Sequence, residues 1–274
     1  MTNRKMMDQL ADLQKSLNID CEKCCGLCCV ALYCMKTDGF PDNKAAGVPC
    51  RYLRSDFRCD IHDRLAEQKM KGCLGYDCFG AGQKVTQKMG KNGNWKTNPQ
   101  KAKELFQTFT VVFQLHQMAW YLLEAWALSS DQKQQTEITA LIVENEQLTA
   151  KAADAILNTD VAAYREKVNG VLKQISSQVA VMSADKKASK NFLGKNLSGK
   201  NFDGSDFSMA LMIAANLEGA SLCGSNFLGA DLRDANIKNT DLSKSLFLTQ
   251  MQINAASGNS KTKLPKKLVR PSHW

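Results

Sequence analysis

The chain has no apolar run long enough to cross a membrane, and it opens on Met1-Thr-Asn-Arg-Lys-Met-Met-Asp-Gln-Leu without the apolar core of a signal peptide. These absences lead to the expectation of a cytoplasmic protein with no membrane contact. Histidine is scarce, with only His62, His116 and His273. No H-E-x-x-H or Ser/His/Asp arrangement accompanies them, which leaves hydrolytic chemistry with little support. Gly80-Ala81-Gly82 lacks the preceding strand and third glycine of a nucleotide fingerprint, so it reads as a tight turn. Acidic residues are missing altogether from 250–274. Net charge is +5 over residues 1–100, −1 over 101–189, 0 over 190–249 and +5 over 250–274, so the basicity of the chain sits at its two ends.

What the chain has in excess is cysteine. Ten of its eleven cysteines lie between Cys21 and Cys78, five of them in the stretch Cys21-Glu-Lys-Cys24-Cys25-Gly-Leu-Cys28-Cys29. In a reducing compartment such density points to Zn2+ or an iron–sulfur cluster rather than to disulfides. If the stretch is helical, Cys21, Cys25 and Cys28 share one face at i, i+4 and i+7, with Cys24 beside them. Cys50, Cys59, His62, Cys73 and Cys78 follow on short turns, and both Cys21-x2-Cys24 and Cys59-x2-His62 have zinc-ligand spacing. The expected metal ligands are therefore drawn from Cys21, Cys24, Cys25, Cys28, Cys29, Cys50, Cys59, His62, Cys73 and Cys78. Ten thiols exceed one tetrahedral zinc, and all-thiolate ligation suits a [4Fe-4S] cluster equally well, so the cofactor stays open between them. Lys23, Arg51, Arg54, Arg58 and Arg64 either offset thiolate charge or are ordinary surface residues.

Cys21-x3-Cys25-x2-Cys28-Cys29, with Cys50-x2-Leu53, Cys59-x-Ile61-His62-x-Arg64 and Cys73, resembles a bacterial family of zinc- or iron-chelating cysteine-cluster domains. That family carries CxxxCxxCC, Cys-x2-Leu, Cys-x-Ile-Tyr-x-Arg-Pro and a further Cys. His62 stands here for the Tyr, Leu65 for the Pro, and Cys24 is additional, so the resemblance leaves the ligand set open.

The middle of the chain reads as helical. Phe106, Phe109, Phe113, Trp120 and Leu123 fall at helical spacing over 101–128. Ser129-Ser130-Asp131 offers an N-cap to a second helix, whose stripe is Ile138, Leu141, Ile142 and Leu148. Thr159-Asp160 caps a third helix running to about Val181. His116 is expected in the core or at an interface, and Ala152, Ala153, Ala155, Ala162 and Ala163 suit close packing, including a homodimer interface.

From Lys190 to Thr249 the sequence repeats every five residues. Phe192, Leu197, Phe202, Phe207, Met212, Leu217, Leu222, Phe227, Leu232, Ile237, Leu242 and Phe247 are in phase, with a small residue two positions earlier from Ser205 to Ser245 and mostly Asn or Asp between. A period of five fits neither helix nor strand, so each unit is one short side and a corner, with the large residue inside and Asn or Asp bonding turn backbone. The pattern resembles the pentapeptide-repeat family, A(D/N)LXX, which implies a right-handed quadrilateral β-helix of about three coils. Leu211, Ser221 and Leu246 depart at the Asn/Asp position. Some members mimic duplex DNA, but zero net charge over 190–249 lacks the acidic face this needs. Cys223 falls on an outward position as an incidental thiol.

The expected fold is thus mixed: a cysteine-rich metal-binding domain over 1–98, an α-helical bundle or hairpin over 99–182, a linker over 183–189, a β-helix over 190–254 and a disordered basic tail over 255–274. No cofactor cradle is recognisable, so binding is expected rather than catalysis, with a protein partner on the β-helix face, in a resistance or stress setting. Nucleic acid on the basic tail is the weaker reading. Two rivals are an iron–sulfur enzyme, as in methylation-like group transfer, and metal storage or delivery.

Overall fold

The computed structural model describes residues 3–88, 94–180 and 190–274, so the expected linker over 183–189 lies outside the described residues. The helices run in the order α1 Asn3–Ser16, α2 Leu27–Ala31, α3 Lys71–Gly75, α4 Ala81–Lys88, α5 Pro99–Leu128, α6 Gln132–Ala150, α7 Ala153–Leu157, α8 Val161–Ala180 and α9 Gln250–Ala255. The chain forms two compact units, one of residues 1–72 and 77–172, the other of residues 73–76 and 173–274.

In the first unit the long helix α5 is the hub, touching α1, α2, α4, α6 and α7. Pro99 occupies its first turn, where a missing amide costs nothing. Its stripe buries Phe109, Val112, Leu115, Ala119, Leu122 and Leu123. Asp131 caps α6 by accepting from the amides of Lys133 and Gln134, and Asp160 accepts from Ala163 N at the start of α8. One polar network sits inside this core. Asn145 Nδ2 donates to the Leu115 carbonyl (2.8 Å) and to Tyr164 Oη (3.2 Å), whose hydroxyl donates to the Leu141 carbonyl (2.9 Å), tying α5, α6 and α8 in one register. His116 is buried, and its Nδ1–H donates to the Phe79 carbonyl at 2.6 Å.

The boundary expected near residue 98 is not there. The cysteine-bearing loops wrap α5 through α2 and α4, whose apolar faces would be exposed if the region stood alone. A continuous helix across Cys21–Cys29 is also absent. A 3-10 turn over Cys21–Lys23 ends at Cys24, and Gly26 takes φ +71° before α2 begins. A left-handed glycine stops a helix, and a Cβ at Gly26 would stand 3.2 Å from the Phe57 carbonyl.

In the second unit the repeats form a β-helix whose sides pair as isolated parallel bridges. Asn191 pairs with Leu211, Asn196 with Asn216, Asn201 with Ser221 and Asp206 with Asn226, and each is repeated one coil on. The constant offset of twenty residues means four pentapeptides per coil and three coils over 190–249. Of the in-phase large residues, all but Phe202 are buried, with Phe207 stacked on Phe227 at 5.4 Å. The Asn/Asp side chains cap the turns as expected: Asn196 Oδ1, for example, accepts from Ser198 N and Asp231 Oδ1 from Arg233 N. Asn196, Asn216 and Asn236 also form a ladder through their side-chain amides.

The segment expected to be a disordered tail is folded. Ser257 pairs with Asn236 and Lys263 with Asp241, extending the β-helix past its third coil. Helix α9 carries a capping box of Thr249 and Gln252, and Gln252 Nε2 donates to the Phe227 and Ala230 carbonyls at 2.9 Å each. Arg270 donates to the Asn259 and Thr262 carbonyls, and Trp274 Nε1 donates to Ala256 O while its ring lies on Gly258. The last coil would otherwise present unpaired backbone and apolar side chains, which this segment covers.

Candidate metal centre

In the first unit the sulfurs of Cys28 and Cys29 lie together, and those of Cys24 and Cys78 meet at Gly82. Gly26 turns the chain so that α2 places Cys28 and Cys29 side by side, their sulfurs 3.9 Å apart. Cys50 N donates to the Cys29 carbonyl at 2.8 Å, and Leu53 pairs with Cys59 across a tight turn, which brings the loop carrying Cys50 and Cys59 alongside. From the other direction, α4 begins three residues after Cys78. A Cβ at Gly82 would stand 2.7 Å from Cys24 Sγ and 3.8 Å from Cys78 Sγ, so these two sulfurs border one space that glycine alone leaves open.

Electrostatics define the same grouping. Ionising Cys28 would oppose the ionisation of Cys21, Cys24, Cys34, Cys59 and Cys78. Burial pushes the Cys21 thiol up to about 11, with Cys28 and Cys24 adding to it and the Arg58 guanidinium opposing. Burial likewise pushes Cys78 up to about 12. Cys28 itself is raised well above the ordinary thiol range, first by its hydrogen bond with Cys29 and then by burial. Several of the sulfurs meet backbone amides that favour the thiolate: Leu27 and Gly26 at Cys24, Ile61 at Cys59 and Gly82 at Cys78. Thr86 Oγ1 accepts from Cys25 N at 3.1 Å and lies 3.3 Å from Cys25 Sγ, while Trp95 Nε1 donates to the Cys25 carbonyl.

All eleven cysteines are free thiols. Cys21, Cys24, Cys25, Cys28, Cys29, Cys50, Cys59 and Cys78 are brought into one unit, joined by Cys34, whose Sγ faces the Leu32 carbonyl and which no spacing argument had singled out. His62 stands apart from the buried thiols, its side chain 65% exposed with Nδ1 3.6 Å from Asp63. Its zinc-like spacing from Cys59 is consumed by a 3-10 turn that points the ring outward. Cys73 falls in the second unit. Among the described residues no three His, Cys, Asp or Glu side chains converge on one ion position. Neighbouring thiols with amides aimed at sulfur are donors of the kind a thiophilic ion takes, whereas the closed set suggested by spacing is not formed among the described residues.

The brace of this loop region is Lys44. Its ammonium donates to the carbonyls of Val30 (3.4 Å), Leu32 (2.5 Å), Ala45 (3.2 Å) and Val48 (2.9 Å). Lys44→Met keeps the stem and leaves these acceptors without their cation, so unit one is expected to lose about 2 kcal/mol, read from the shift of the urea midpoint at constant m.

No helix among the described residues is long and apolar enough to cross a membrane. Residues 210–247 match the family of pentapeptide repeats in eight copies. Over 269 residues the chain is 44% identical to "Uncharacterized protein YybG" of Bacillus subtilis (strain 168), with 96% of each chain covered, so the likeness spans the thiol-bearing and repeat regions alike. Among solved structures it is similar to the pentapeptide repeat protein Rfr23 of the cyanobacterium Cyanothece 51142, at 24% identity and a TM-score of 0.22, over 27% of this chain and 56% of that one. A pentapeptide repeat protein of the Arabidopsis thaliana thylakoid lumen matches at 22% identity and a TM-score of 0.15, over 32% of this chain and 66% of that one. The chain is a pentapeptide-repeat protein and belongs to the same family as Bacillus subtilis YybG.

Proposed function

We propose that this protein is an interaction module in which the β-helix presents the docking face and the thiol cluster around Cys28 holds a thiophilic metal, Zn2+ or an iron–sulfur cluster. The observation that supports the metal most directly is the pairing of the Cys28 and Cys29 sulfurs at 3.9 Å, with the Cys24 and Cys78 sulfurs bordering one space at Gly82 in the same unit. Thiols held this close are costly to ionise together without a cation and stabilise one strongly when it is present. The resemblance to cysteine-cluster domains leans the same way. Cys28 would be the central ligand, with Cys24 and Cys78 on the Gly82 side and Cys29, Cys50 and Cys59 on the other. The bound ion would lock these loops onto α5, and the amides at Cys24, Cys59 and Cys78 would hold the thiolates.

The test is metal content after anaerobic purification. Cys28→Ser is expected to lose at least half of the bound metal, while Cys223→Ser, on the β-helix surface, loses none. Equal metal in all three proteins would remove Cys28 from the site, and no metal in the unmodified protein would remove the site altogether. A brown, oxygen-labile spectrum with sulfide would identify a cluster, and colourless stoichiometric zinc a structural ion.

A further inference from the structure

The folded segment over 250–274 carries Lys261, Lys263, Lys266, Lys267 and Arg270 and no acidic residue. As a loose tail these charges would be solvated and without shape. Here they are fixed on the last coil: Lys263 by its bridge to Asp241, Lys261 by the turn in which Asn259 bonds Asn239 and Thr262, and the following chain by Arg270 and Trp274. Lys261, Lys263 and Lys266 are exposed, and Lys238 on the adjacent rung is exposed beside them. The acidic groups at hand are Asp241, half-exposed and paired with Lys263 at 2.9 Å, a surface pair too weak to cancel the patch, and Glu218, whose carboxylate accepts from the Asn236 and Asn239 side-chain amides. The same segment also exposes Ser257, Ser260, Val269, Arg270 and Ser272, of which the serine hydroxyls and the guanidinium are donors of the kind that meet phosphate oxygens.

We propose that this basic cap binds the phosphate backbone of a nucleic acid. A protein partner would call for a cluster of aromatic and apolar anchors, whereas Trp274 is spent on Gly258 and the Ala256 carbonyl within the cap and Val269 is exposed singly. Contacts of this kind position a duplex without reading its bases, so binding is sequence-independent and falls with salt. With the four cap lysines each neutralising a phosphate, doubling the salt concentration weakens binding about tenfold. This proposal is independent of the metal, since it concerns residues of the second unit alone.

The experiment is fluorescence anisotropy of a labelled mixed-sequence DNA duplex titrated with the full chain from low to physiological salt. Binding with the steep salt dependence above is expected. Lys261→Glu with Lys266→Glu should abolish it at an unchanged melting temperature, because neither side chain makes a described contact that holds the cap. Lys195→Glu with Lys200→Glu, on the first coil, should leave it intact. Absence of binding at low salt overturns the proposal, as does equal loss in both double variants. Preference for polyglutamate over the duplex would replace nucleic acid by an acidic protein and overturn it too.

Discussion

Phe227→Ala is expected to destabilise the β-helix by about 4 kcal/mol, enough to unfold a large share of the second unit at moderate temperature. Phe227 has no exposed surface, stacks on Phe207 one coil below, and sits where Gln252 of the capping helix bonds its carbonyl. A solenoid draws its stability from contacts between neighbouring coils, so a cavity at the middle of the Phe207, Phe227, Phe247 column weakens two interfaces at once. Neither coil can collapse into the gap, because backbone bonds such as Phe207 N to Asn226 O and Phe227 N to Leu246 O hold the coil spacing. Leu246→Asn, which restores the repeat consensus on the outer surface, should leave stability within a few tenths of a kcal/mol or raise it. Chemical denaturation followed by far-ultraviolet circular dichroism separates the two. A loss below about 1 kcal/mol for Phe227→Ala would mean that the coils are not packed as described.

Acidification is expected to weaken the first unit by about 3 kcal/mol through His116. Burial lowers this imidazole to about 4 from an ordinary 6.5, with the Phe79 carbonyl opposing and Lys84 assisting. Above pH 6.5 the ring is neutral in both folded and unfolded chains. Between 6.5 and about 4 the unfolded chain takes up a proton that the folded one refuses, so stability is full above 6.5 and lost as pH falls towards 4. Asp77, raised by burial to about 6, acts with the opposite sign over part of the same window. The His116 contribution is therefore the difference between the unmodified chain and His116→Gln, a variant that keeps a donor for the Phe79 carbonyl and leaves Asp77 in place. Urea midpoints at pH 7 and near pH 4 should fall further apart in the unmodified chain than in the variant. Equal spacing would contradict a buried neutral His116.

The parts of this molecule that were legible in its sequence are those whose cause is local. The five-residue period survives because every unit places the same side chain in the same corner, and Asp131 and Asp160 announce α6 and α8 because a cap needs only the next three amides. What was not legible depends on partners far along the chain. The segment after 250 looks like a solvated tail by charge alone, and its anchors, Gln252 on Phe227 and Thr262 on Ile237, lie more than twenty residues back. Likewise the break at Gly26 follows from the approach of Leu53 and Phe57, and the role of Gly82 from the sulfurs it makes room for. Cysteine count and spacing likewise do not say how the thiols are arranged in space: Cys34 lies in the same unit as Cys28, whereas the His62 side chain is largely exposed.

The measurement that bears most directly on this account is X-ray absorption at the metal edge of the anaerobically purified protein. A first shell of sulfur alone, at about 2.3 Å for zinc, is the predicted result, because thiols are the donors proposed for the site at Cys28. A first shell of nitrogen or oxygen, or a protein that carries no stoichiometric metal, would contradict it.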